Sequence, residues 1–184
     1  MEKRNTQVEK LCGFYVSDWH LVTMLLPYIN NKIDEKTKII TILENNIEEK
    51  IKTLVEKLNL KNKEDILSIN WTNINSKKYS YIENILKNDI NSNLDNIILI
   101  TGSKEYIERN NANIEKWLCK SLVKSIKIIN FFEVTEFNSN IISILDSHDK
   151  VLNTSGEKEI NEVFEGYHRG EKIEVKKVVN NSEI

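Results

Sequence analysis

The chain has 184 residues, of which 40% are apolar, and its formal net charge is −2. This length predicts one domain with enough chain to bury a core, and the small net charge argues against direct binding of nucleic acid or anionic lipid. The N-terminus has no apolar stretch typical of a signal peptide, and no apolar run approaches the roughly 18–20 residues that span a bilayer. The sequence therefore predicts a cytoplasmic protein that does not contact a membrane.

Apolar runs of two kinds alternate along the chain after a polar lead-in over residues 1–9. Short runs rich in β-branched residues predict strands. They are Leu11–Val16, Thr37–Leu43, Ile66–Trp71, Ile97–Thr101 and Ile126–Val134. Segments with apolar residues at helical spacing predict helices between them. The first helix begins after Ser17, contains Pro27 and reaches Ile33, and the others cover Ile47–Leu58, Tyr81–Ile90, Tyr106–Leu122 and Phe137–Leu145.

This alternation predicts a fold class and a domain organisation. Strands joined through helices of about ten residues or more favour a parallel sheet, because parallel neighbours need crossover connections. We expect a single α/β domain over residues 10–155, with a mostly parallel sheet of about five or more strands flanked by helices. Residues 156–184 form a C-terminal extension, in which Lys172–Val179 has two interpretations, an edge strand or a mobile tail.

Phosphate-binding motifs are missing from the chain. The turn after the first strand reads YVSDWHL, and neither GxGxxG nor GxxxxGK[ST] occurs anywhere. The strand IILIT ends with Thr101 and is followed by Gly102, so its end has no acidic residue that could hold Mg²⁺. The sequence predicts no nucleotide hydrolysis and no cofactor.

Catalytic and metal-binding patterns are equally weak. Cys12 and Cys119 lie in segments that we expect to be buried, and neither forms a close ligand spacing with the three histidines. Packed thiols and capping histidines are therefore favoured over a metal site or a cysteine nucleophile. No paired carboxylates or triad stand out, so we expect no catalytic residues, no bound metal and no enzymatic activity.

A ligand site is predicted where the parallel strands end, because open α/β sheets bind ligands beyond the carboxyl ends of their strands. Aromatic walls with a few polar groups favour a neutral or weakly polar ligand over a phosphate. For each residue, simple packing is the alternative, and Trp117 is assigned to the core on its helical spacing with Ile114. The predicted ligand-binding residues are Tyr15, Asp18, Trp19, His20, Glu44, Trp71, Thr101 and Gly102.

Two segments carry a resemblance to a known family. CGFYVSDWHLVTMLLPYINNKI, from Cys12 to Ile33, resembles the opening of the methanogen/methylotroph DcmR sensory (MEDS) domain, and FEVTEFNSNIISILDSHDKVL, around His148, resembles its ending. Lys10 stands where family members often have a histidine, and Asp149 stands in place of a proline. The resemblance implies a RecA/KaiC-like fold without the phosphate loop.

The same resemblance implies a function in ligand sensing. The expected protein is a sensory or regulatory domain that binds a small molecule and signals through a protein partner or a homodimer. Two alternatives stay open, a protein-interaction module without a ligand and a degenerate nucleotide-binding protein.

Overall fold

The computed structural model describes residues 6–33, 36–134 and 137–169. Its centre is a six-stranded sheet with the order β2-β3-β4-β1-β5-β6. All neighbouring strands are parallel except β5 and β6, which are antiparallel. The strands are β1 (Gln7–Tyr15), β2 (Thr37–Leu43), β3 (Asp95–Gly102), β4 (Ser125–Glu133), β5 (Lys150–Asn153) and β6 (Gly156–Glu159). The prediction of a mostly parallel, single-sheet α/β domain is confirmed.

Helices cover both faces of the sheet. They are α1 (Asp18–Ile33), α2 (Glu48–Lys57), α3 (Lys63–Ser68), α4 (Tyr79–Asp89), α5 (Lys104–Leu118), α6 (Phe137–Asp146) and α7 (Ile160–Val163). Alternate side chains of β3 enter different core clusters: Ile97 and Leu99 pack with residues of α1 and α2, whereas Ile98 and Ile100 pack with residues of α4 and α5. Because β3 is buried on both faces, it reads as an uninterrupted apolar run in the sequence.

The predicted third strand, Ile66–Trp71, is wrong. Lys63–Ser68 forms the short helix α3, and Trp71 lies in the segment that follows it. Glu64 and Asp65 stand in the first turn of this helix, where the helix dipole favours negative charge. A short apolar run does not separate strand from helix by periodicity, and here Ile66 alone of the helix is buried.

The two ends of the domain differ from the predicted boundaries. β1 begins at Gln7, inside the residues expected to form a polar lead-in. β6 and α7 lie in the expected C-terminal extension and follow the unpredicted strand β5. Cys119 is exposed, contrary to the expectation that both cysteines are buried, because it lies at the C-cap of α5. The segment Lys172–Val179 lies outside the described residues.

None of the helices in the described ranges has both the length and the apolar character required to cross a membrane.

The strand order creates a point where connections diverge. The chain leaves β1 through α1 toward β2 at one edge, whereas it leaves β4 through α6 toward β5 on the other side of β1. β1 and β4 are neighbours, and Tyr15 pairs with Glu133 at their carboxyl ends. A crevice between such diverging connections is where open α/β sheets bind ligands.

Candidate ligand site at the carboxyl edge of the sheet

The turn between β1 and α1 is closed by its own side chains. The backbone N–H of Val16 donates to Nδ1 of His20 at 3.2 Å, and the backbone N–H of His20 donates to Oγ of Ser17 at 3.2 Å. Ser17 therefore caps the helix, as its position before Asp18 indicates. Two amides that could have bound an anion at this helix N-terminus are already occupied.

Asp18 and Trp19 share one cation from the neighbouring helix. Nζ of Lys50, on α2, lies 3.4 Å from the Asp18 carboxylate and 5.9 Å from the centre of the Trp19 ring. Trp19 is 46% exposed, and Val16 before it is 67% exposed. The start of α1 thus presents apolar surface to solvent while its acidic residue is paired with Lys50.

Glu44 spans the gap between β2 and α5. Its carboxylate accepts hydrogen bonds from the backbone N–H of Ser103 at 2.6 Å and from the Ser103 hydroxyl at 3.2 Å. The Glu44 backbone N–H donates to the carbonyl of Thr101 at 3.0 Å. The carboxylate therefore occupies the N-terminus of α5, a position that attracts anions.

Gly102 makes this arrangement sterically possible. Its φ is +148°, a conformation that residues with a Cβ rarely adopt, and an added Cβ would lie 2.3 Å from Oε2 of Glu44. Thr101 is 1% exposed and contributes its carbonyl. Three of the predicted site residues, Glu44, Thr101 and Gly102, thus form one capping unit.

Tyr15 carries a buried hydroxyl without a partner. The residue is 1% exposed, and among the described residues no group lies within hydrogen-bonding distance of its hydroxyl. Burial raises the pKa of Tyr15, and the negative charges of Glu133, Asp18 and Glu44 raise it further. The phenol therefore stays protonated and keeps a donor that nothing in the described part of the chain accepts.

Trp71 does not line an open site. It is 2% exposed, packs in the core cluster with residues of α1 and α2, and donates its indole N–H to the carbonyl of Ile66 at 2.8 Å. The prediction that Trp71 follows a strand at the carboxyl edge fails because the segment before it is helix α3. Its polar atom is satisfied locally, as buried tryptophans require.

The predicted residues thus separate into distinct groups. Tyr15, Asp18 and Glu44 lie close enough to interact electrostatically, and Glu133 at the end of β4, which the sequence also offers as a candidate, joins them. Four cavities lined by described residues contain none of the predicted site residues. The sequence reasoning missed Ser103, although a serine before a helix is a recognisable cap, and it missed Lys50, for which no sequence signal exists.

A second polar cluster lies in the core beneath α5 and α6. The amide of Asn130 on β4 contacts Nε2 of His148 at 2.9 Å and accepts from Nδ2 of Asn111 at 3.0 Å. His148 is 4% exposed, and burial lowers its pKa to about 4, so the ring is neutral at pH 7. On β1, burial raises the pKa of Cys12 to about 12, as expected of a packed thiol.

Within the described ranges, no group of three or more His, Cys, Asp or Glu residues is arranged to hold a metal ion. Comparison of the chain with protein-family models, with curated proteins and with solved structures gives no match. A function is therefore inferred from the side chains themselves.

Proposed function

We propose that this protein is a non-catalytic, cytoplasmic sensory or regulatory domain that binds a small neutral or weakly polar ligand and signals through protein contacts. The main observation that supports this proposal is the state of the Tyr15 hydroxyl. Tyr15 ends β1, where the connections of β1 and β4 diverge, and its buried hydroxyl has no acceptor among the described residues. An unsatisfied buried hydroxyl costs about 1–3 kcal/mol. A ligand with a carbonyl or ether oxygen would recover that energy.

The electrostatics of the edge favour a ligand without negative charge. Glu133, Asp18 and Glu44 surround the phenol closely enough to raise its pKa. The helix N-termini that would bind a phosphate are capped by Glu44 at α5 and by Ser17 at α1. A nucleotide would have to displace these groups and approach like charges, which argues against ATP as ligand or substrate.

The resemblance to MEDS domains supports sensing over catalysis. It implies a RecA/KaiC-like fold without a phosphate loop, and the mostly parallel sheet with no glycine-rich turn after β1 is compatible with that implication.

A protein-interaction module without a ligand is the second candidate. Trp71 is closed into the core, while Val16 and Trp19 are exposed apolar side chains at the same edge. Exposed apolar surface of this kind is typical of protein contacts when it forms a contiguous patch. The two candidates differ in whether the Tyr15 hydroxyl has a small-molecule partner.

A thermal-shift screen separates the two candidates. Wild type and Tyr15→Phe are exposed to neutral metabolites that carry carbonyl or ether oxygens. Mg²⁺-ATP is the negatively charged compound tested for comparison. We expect some of the neutral compounds to stabilise wild type and to lose this effect in Tyr15→Phe. We expect ATP neither to stabilise the protein nor to be hydrolysed by it. Ligands that stabilise both proteins equally, or steady ATP hydrolysis, would contradict the proposal. A wild type that no compound stabilises favours the interaction module.

A further inference from the structure

At one edge of the sheet, backbone groups have no partner among the described residues. β2 is the terminal strand there, and within the described ranges it pairs with β3 alone. The Glu44 N–H donates toward β3, to Thr101, whereas the Leu43 carbonyl accepts from Ile74 on the outer side. Because residues of a parallel strand alternate in direction, Thr37, Ile39 and Thr41 also direct their backbone groups outward. No backbone hydrogen bond from another described residue reaches these outward groups.

A cavity of about 380 Å³ runs along this unpaired stretch. On one side α4 contributes Tyr81, Ile85 and Asp89, which follow one another at four-residue spacing on one helix face. On the other side α3 and the next residues contribute Asp65, Ser68 and Ile69. One wall is therefore mainly apolar and the other mainly polar, with the free strand edge at the base.

This geometry fits an added strand better than a second sheet edge. The edge lies at the base of a cavity between α3 and α4, so these helices flank any second sheet edge that approaches β2. A single extended segment can enter the cavity and pair with the outward groups of β2, as in β-strand addition.

We propose that Lys172–Val179 of a second copy of this chain is that segment. Its first five residues, Lys-Ile-Glu-Val-Lys, alternate strictly between polar and apolar. In an extended conformation Ile173 and Val175 share one face, and Lys172, Glu174 and Lys176 share the other. The apolar face matches Tyr81 and Ile85, and the two lysines match the Asp65 side of the cavity.

Within one copy, Lys172 at the start of the segment cannot reach this edge. Arg169 donates to the carbonyl of His148, just before β5, and β5 lies four strand positions from β2. Four spacings amount to about 19 Å, and a strand added beyond β2 requires about 24 Å. The chain from Arg169 to Lys172 covers at most about 11 Å. Exchange of the segment between two copies is not subject to this length limit. The inference rests on the proposed function and identifies its protein contact.

The test is the self-association of the full chain, measured by sedimentation equilibrium without added ligand. Tyr81→Ala removes the apolar wall, and the matched control Leu67→Ala removes a side chain of similar exposure, 45% against 47%, from outside the cavity. Asp65→Lys places like charge opposite the lysines. Val175→Asp disrupts the segment, and Ser182→Asp adds the same charge beyond it. Circular dichroism of each variant verifies the fold.

We expect a wild-type dimer that weakens by roughly tenfold or more in Tyr81→Ala, Asp65→Lys and Val175→Asp, and that is unchanged in both controls. A mixture of Tyr81→Ala and Val175→Asp should regain association, because one variant keeps an intact segment and the other an intact cavity. A monomeric wild type, equal effects of Tyr81→Ala and Leu67→Ala, or a mixture that stays monomeric would overturn the proposal. None of these outcomes depends on the Tyr15 site. A failure of the proposed dimer contact is therefore distinguishable from a failure of ligand binding at Tyr15.

Discussion

The carboxylate of Glu44 accepts a 2.6 Å hydrogen bond from the backbone amide of Ser103, at the first turn of α5. The Ser103 hydroxyl donates to the same carboxylate and accepts from the Tyr106 amide at 3.3 Å. A helix N-terminus favours negative charge, and here the chain supplies that charge from the end of a neighbouring strand. The contact therefore joins β2 to α5 and occupies an anion-binding position.

Glu44→Gln should lower the free energy of unfolding by about 1–2 kcal/mol, because a charged acceptor at a helix N-terminus becomes neutral. Urea denaturation followed by circular dichroism measures the change. The control is Glu83→Gln, which alters a partly exposed carboxylate that pairs with Lys87 within α4 and lies outside its first turn. That variant should stay within about 0.5 kcal/mol of wild type. Equal losses in the two variants would contradict the role assigned to Glu44.

Tyr15→Phe should raise the free energy of unfolding by about 1 kcal/mol in the absence of ligand, since it removes a buried hydroxyl that has no partner in the described part of the chain. Tyr106→Phe is the matched comparison, because the Tyr106 hydroxyl donates to the carbonyl of Ile74 at 2.9 Å. Loss of this hydrogen bond should destabilise the protein by about 1 kcal/mol. Thermal and chemical denaturation of both variants measure whether each substitution raises or lowers the free energy of unfolding. A destabilised Tyr15→Phe would show that its hydroxyl is already satisfied.

Trp71→Ala should destabilise the protein by about 3–5 kcal/mol, because it empties a core position that is 2% exposed. Trp19→Ala should change stability by less than about 1 kcal/mol, since nearly half of that side chain contacts solvent. Of the two tryptophans, only Trp19 is therefore expected to affect ligand binding at this edge. Denaturation curves of the two variants are the measurement, and similar losses in both would place Trp19 in the core as well.

His148 should make the protein less stable in acid. Burial lowers its pKa from 6.5 to about 4, the charges of Lys10 and Arg169 act in the same direction, and Asp149 opposes them. Between these pKa values the unfolded chain binds a proton that the folded chain does not. The stability from this residue is thus complete above pH 6.5 and falls by roughly 3 kcal/mol as the pH approaches 4.

His148→Gln should flatten this dependence, as measured by urea denaturation from pH 4 to 8. His20→Gln keeps the buried ring and should retain the wild-type slope. An unchanged slope in His148→Gln would show that other groups dominate the acid sensitivity.

The sequence by itself determined the strand–helix alternation and part of the candidate site. β2 was predicted at Thr37–Leu43, as observed, because its β-branched run is bounded by polar residues. Once a parallel sheet is inferred, Tyr15, Glu44 and Thr101 must lie at one edge, since all parallel strands end there. Only the tertiary structure decided that Trp71 is buried, because a short apolar run is compatible with either helix or strand. Strand order likewise pairs Tyr15 with Glu133 and leaves β2 without an outer neighbour among the described residues, while α1 and α2 bring Asp18 and Lys50 together. These are contacts between distant segments, and local periodicity carries no information about which segments meet.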